Sequence, residues 1–234
     1  MDQRRVPVNG WSWPLFGAAA GVLGAIGHLF TDAKLTDEER ASGAAVIDAL
    51  DRTGFHIGII SGLAAVFCLL IFTAGWRKWV ATHAPESLAG EMVSLAFVAS
   101  TGAMLLGYGF KGSLAVYLPG GMDEGSYPNE SLLSVFMFND FAPYIAWYGV
   151  AMAAIGVAWF ALREHHLPIW FGIVAAVFAL IPIGFLVVTG LPGFPGVIDP
   201  LWMLIFGIGL SVRLRRSASQ PATLPTPQLV RTVA

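Results

Sequence analysis

F-H-I-G-I-I-S-G-L-A-A-V-F-C-L-L-I-F-T-A-G-W, residues 55–76, carries one histidine at its edge, no acid and no permanent cation, and it closes on Arg77 and Lys78. A helix must offer about 20 mainly apolar residues to cross the roughly 30 Å hydrocarbon core of a bilayer. This stretch meets that length and stops on two cations, as a spanning helix does at the cytoplasmic face. Five further stretches read the same way: 11–31, 90–113, 133–162, 168–190 and 197–213. The whole chain agrees. It is 56% apolar and only 12% charged, with a mean hydropathy of +0.69. Soluble domains carry about 25% charged residues, so this composition could not cover a water-facing surface.

The sequence therefore predicts an all-α, polytopic membrane helix bundle of six transmembrane helices. Residues 11–216 form the bundle, between a cytoplasmic N-terminus at 1–10 and a Pro-, Ser- and Thr-rich tail at 217–234 that is expected to be disordered. Arg4 and Arg5 precede the first apolar stretch, but its length exceeds the 7–15 residues of a signal-peptide core, so it reads as a retained helix.

Charge sets the orientation. With the N-terminus inside, nine of the thirteen basic residues fall on the cytoplasmic side: Arg4, Arg5, Arg77, Lys78, Arg163, Arg213, Arg215, Arg216 and Arg231. Eleven of the fifteen acids fall outside. The positive-inside rule thus predicts N-in and C-in, in a plasma membrane. Trp11, Trp13, Trp76, Trp79, Trp159 and Trp170 lie near the cytoplasmic helix ends, where an aromatic belt is expected.

The first outer loop has internal order. Thr36 and Glu39 make a T-x-x-E capping box, and Gly43, Val46, Ile47 and Leu50 share one helical face, predicting a short amphipathic helix from about Asp37 to Asp51. Gly17 with Gly21, and Gly58 with Gly62, are G-x-x-x-G pairs. They predict close helix packing within the chain, or in a homo- or hetero-oligomer. Pro143 and Pro182 should kink their helices. Cys68, the lone cysteine, reads as a small core hydrophobe.

Polar residues in spanning segments are costly and often functional. Here they gather toward the outer ends: His28, with Asp32 one turn on, His56, Lys111, Asn139, Asp140 and Asp199. In I-D-P-L-W, Asp199 suits a helix N-cap and Pro200 the first helical position. A carboxylate at that depth needs a partner, and Lys111 is the cation at that level, with Asp140 competing for it. The candidate ligand-binding residues are therefore His28, His56, Lys111, Asp140 and Asp199. The competing reading makes them helix ends meeting water and headgroups. No nucleophile elbow, Walker motif, H-E-x-x-H, H-x-x-x-H or C-x-x-C occurs. No catalytic residue, metal or cofactor is therefore predicted, and haem ligation would require His28 and His56 to face one cavity. No basic stripe exists for nucleic acid.

L-P-I-W-F-G-I-V at 167–174 and D-P-L-W-M-L-I-F-G-I-G-L at 199–210 resemble a bacterial family of six-helix integral membrane proteins to which no activity is attached. The resemblance implies the fold and no chemistry. Three functions fit the sequence: a small-molecule binder or transporter with an outward-facing polar pocket, an accessory subunit of a larger membrane complex, and a membrane enzyme with an outer-leaflet acid–base site. The lipid bilayer is the partner common to all three.

Overall fold

The computed structural model describes residues 10–190 and 194–219, and within them the chain is helical with no strand. Helix α1 (Pro14–Ala25) runs on into a π-helical turn, Ile26–Phe30. After a short α2 (Asp37–Ala41) and a 3₁₀ turn, Gly43–Ala49, come the long helices α3 (Arg52–His83) and α4 (Leu88–Tyr117). Helices α5 (Asn129–Ala146) and α6 (Tyr148–Leu162) follow, then α7 (Ile169–Thr189) and α8 (Pro195–Ala218). The predicted tail falls largely on 220–234, and the N-terminal segment on 1–9; both lie outside the described residues, although Ser217 and Ala218 still belong to α8.

Among the described residues, five segments are long and apolar enough to cross a membrane: α3, α4, the α5–α6 unit, α7 and α8. The sixth expected span, α1 with its π turn, is shorter, at Pro14–Phe30. Large apolar side chains point outward along the bundle, among them Leu63, Phe67, Leu95, Leu106, Val177 and Leu180. Contiguous exposed apolar surface of this kind marks contact with lipid or protein. A chain with these five helices is compatible with a membrane-embedded protein.

The interior is aromatic. Phe72, Trp76, Phe97, Phe160, Trp202 and Phe206 are buried together, with Trp202 stacked on Phe206 at 5.0 Å between ring centres. One of these rings corrects the sequence reading. Trp76 is fully buried and donates its indole N–H to the Gly90 carbonyl, 2.9 Å away, so it is a core residue and not a belt anchor. Trp159 and Trp170 do face outward.

The fourth expected span is one unit broken in the middle. Pro143 cannot donate to the helix, and the turn at Trp147 tightens, with the Val150 N–H bonding to the Trp147 carbonyl. That leaves the Ala146 carbonyl without its helical donor, and the Ser100 hydroxyl of α4 supplies one. The break is thus capped from a neighbouring helix.

The loop after α1 behaves as its sequence implies, with one correction. Thr36 and Glu39 form the capping box, and the Thr36 N–H and hydroxyl hold the Glu39 carboxyl below the usual carboxylate range. The helix does not continue through to residue 51. It stops at Ser42, and Gly43 turns with φ of +63°, a value that suits a residue without a Cβ. The 3₁₀ turn then buries Val46, Ile47 and Leu50 on Phe55, Leu114, Leu118 and Leu132, leaving Gly43 exposed. Single cysteines at Ile47 and Glu38 should therefore differ sharply with a water-soluble maleimide: fast at the exposed Glu38, slow at the fully buried Ile47. Equal rates would remove this packing.

Candidate functional site

Proline chemistry at the start of α8 builds one wall of the site. Two prolines could open this helix, and Pro195 takes the first position, not Pro200. Asp199 is therefore not an N-cap; it lies one turn inside the helix. Pro200, now internal, has no N–H to give the carbonyl four residues back, which is that of Gly196. The His28 imidazole fills the gap, its Nε2 contacting the Gly196 oxygen. A carbonyl can only accept, so Nε2 carries the proton. In the neutral ring Nδ1 is then a bare acceptor, and it has no protein partner.

The π turn brings His28 to this position. Widening the last turn of the first helix leaves carbonyls to satisfy, and the Thr31 hydroxyl donates to those of Gly27, at 2.9 Å, and Ile26, at 3.1 Å. π turns are frequent at functional sites because they re-aim a side chain.

Lys111 crosses from α4 toward the same turn. Its stem lies over Gly58 of α3, where a Cβ would collide with Lys111 Cδ, and its ammonium lies 5.7 Å from the centre of the Phe55 ring. It ends on the carboxylate of Asp32, just beyond the π turn, in the sole salt bridge among the described residues. The expected pairing of Lys111 with Asp140 or Asp199 is thus not formed. The loop, not a helix end, delivers the acid, because the turn after Phe30 folds back over the bundle. Lys111 is 2% exposed and Asp32 33%. Burial pushes the Asp32 carboxyl up, and the ammonium in contact with it works the other way.

Two cavities meet at His28 and Pro143. A cleft of about 90 Å³ lies between the π turn, α5 and the start of α8, and it is lined by Asp32, Asp140, Tyr144, Phe194 and Val197 together with His28. Beside it is a smaller pocket of about 20 Å³, lined by His28, Tyr108, Lys111, Asn139 and Trp147 among others. That is room for about one water. Asn139 Oδ1 is buried with no protein partner, and the Tyr108 hydroxyl leans toward the Trp147 indole short of hydrogen-bond geometry. Buried polar groups are normally satisfied, so this concentration of unmet ones singles the place out.

The structure therefore gathers His28, Lys111 and Asp140 around the paired cavities and leaves two predicted residues elsewhere. His56 is exposed and lines a groove with Arg52, Ile59 and Met122, away from His28. The two histidines share no cavity, which removes the bis-histidine haem arrangement. Asp199 is fully buried at the α6 side, near enough to Tyr148 to interact electrostatically, and its carboxyl has no hydrogen-bond partner. No cluster of three metal-ligating side chains occurs among the described residues. Asp32, Asn139 and Tyr144 join the site. Asp32, at four from His28, and Tyr144, at four from Asp140, were visible by spacing, and Asn139 as a polar residue in an apolar run. Tyr108 had no signal: it is an uncharged aromatic within an apolar run.

Compared with known protein families, curated proteins and solved structures, the chain matches none.

Proposed function

We propose that this is a six-span plasma-membrane protein, N-in and C-in, that binds or transports a small polar molecule through the cleft at its outer end. The observation that carries the reading is the convergence of His28, Lys111, Asn139 and Tyr108, all buried, on a cavity that backs directly onto a cleft holding Asp32, Asp140 and Tyr144. A merely structural polar layer would be expected to satisfy itself. This one keeps acceptors unmet beside open space.

The topology rests on the nine-to-four division of basic residues and on α1 lying against both α3 and α8. With its π turn, α1 reaches about 25 Å at helical rise, close to the thickness of the hydrocarbon core. Reporter fusions after Arg216 should signal cytoplasm, and fusions in the 119–127 loop should signal the outside. The reverse pattern would refute the orientation and with it the outward-facing cleft.

The accessory-subunit reading loses the surface it relied on. Gly17 faces Phe72 and Met203, Gly21 faces the Pro200 backbone, Gly58 carries Lys111, and Gly62 carries the Tyr108 ring. All four glycines are used inside the chain. The deciding experiment is native mass spectrometry of the full chain released from mild detergent. A small molecule bound to the wild type and lost in Asn139→Leu supports the pocket; a stable heterocomplex with no small molecule would return the accessory reading to first place.

A further inference from the structure

We infer that the ligand of the outer cleft is a small organic ammonium ion, held by Asp140, Tyr144, Phe194 and His28. The inference rests on the pocket proposed above and adds its chemical class.

Charge decides the sign. Three permanently ionisable groups border the two cavities: Asp32, Asp140 and Lys111. Asp32 and Lys111 are spent on each other. Asp140 has no cationic partner, and it faces the cleft from α5 with Asp32 also nearby. The cleft is thus one negative charge in excess. An anion entering it would meet that charge, while the Lys111 ammonium is buried and already engaged by Asp32.

The neutral groups point the same way. His28 is committed to the Nε2–H form by the Gly196 carbonyl, so its buried Nδ1 lone pair is left without a donor at the edge of the cleft. Pro200 is therefore what makes His28 an acceptor. Tyr144 sits one turn after Asp140 on the same face of α5, and Phe194 closes the opposite side. Aromatic faces beside a carboxylate suit an ammonium group, through cation–π attraction added to the ion pair. Size limits the ligand. A cleft of about 90 Å³ is far below the 300–1,000 Å³ of sites that enclose drug-sized molecules, so it accepts a headgroup of a few heavy atoms and not a nucleotide or a sugar.

The test uses the full-length protein in detergent micelles, with methylammonium and tetramethylammonium as probes, acetate as the anion of similar size, and sodium chloride fixing ionic strength. Binding is read by calorimetry and by the shift in Tm. An ammonium probe is expected to bind saturably and raise Tm, while acetate does neither. Asp140→Asn should weaken the ammonium affinity at least tenfold while leaving the Tm of the unliganded protein in place, since Asp140 is exposed and makes no salt bridge. Saturable acetate binding would overturn the ammonium assignment and leave the pocket standing. So would undiminished ammonium binding by Asp140→Asn, or a neutral molecule found in the pocket by native mass spectrometry. If neither probe binds and nothing co-purifies, the pocket itself falls along with its ligand class.

Discussion

Replacing Asp32 with Asn should destabilise the protein more than replacing Lys111 with Met, although the two residues share one bond. The asymmetry follows from exposure. Lys111 is 2% exposed and its stem is pinned over Gly58, so its ammonium cannot turn back to water when the carboxylate is removed. A charge stranded in this way costs about 3–5 kcal/mol. Asp32 is one-third exposed, so when Lys111 is truncated the carboxylate can rehydrate, and about 1–3 kcal/mol is expected. The double substitution should recover part of the larger loss, because it removes both charges together. Urea or thermal unfolding of the four proteins in one detergent measures the cycle. Equal single losses with additive behaviour would mean that the ammonium reaches solvent after all.

Gly21→Ala is the second large effect, and it acts without charge. A Cβ at Gly21 would meet the Pro200 carbonyl oxygen and lie 3.0 Å from the Leu204 nitrogen. Both are backbone atoms of α8 and cannot rotate aside, so the helices must part. Overpacking of this kind costs about 1–3 kcal/mol. The control is Gly102→Ala on α4, where a Cβ meets nothing within 4 Å. There alanine should be neutral or stabilise by up to about 1 kcal/mol through helix propensity. Similar losses at both positions would show that glycine matters here for flexibility and not for approach. The α1–α8 contact also carries His28, so Gly21→Ala should loosen the cleft as well as the fold.

The all-helical architecture and its long apolar helices could be read in advance because hydropathy acts one segment at a time. The run at 55–76 needs no knowledge of its neighbours to be recognised as α3. The capping box at Thr36 and Glu39 is equally local, and it forms. What failed depended on a choice between local signals or on contacts distant in sequence. Pro195 and Pro200 both suit a helix start; the choice of the first turned Asp199 from a cap into a buried residue and freed the Gly196 carbonyl for His28. Trp76 fits an interface belt by position, yet the Gly90 carbonyl that holds it belongs to the next helix. Lys111 was correctly expected to be paired, but its acid came from the loop after α1, 79 residues away. Of the candidate site, His28, Lys111 and Asp140 were legible as polar interruptions of apolar runs. Tyr108 and the cavity it borders arise only when α1, α4 and α5 meet.

The bond between His28 and Gly196 joins residues 168 apart, and it ties the first helix to the last. At a synthesis rate of about 5–20 residues per second, the two ends are separated by about 10–30 s of translation. Throughout that time α1 has emerged with Gly21 uncovered and the imidazole N–H of the turn that follows it unclaimed, both waiting for a helix the ribosome has not yet made. The contact between the π turn and α8 can close only when α8 arrives, so assembly of the cleft must wait for that helix. An arrest after α7 would leave α1 as the exposed surface that quality control meets first.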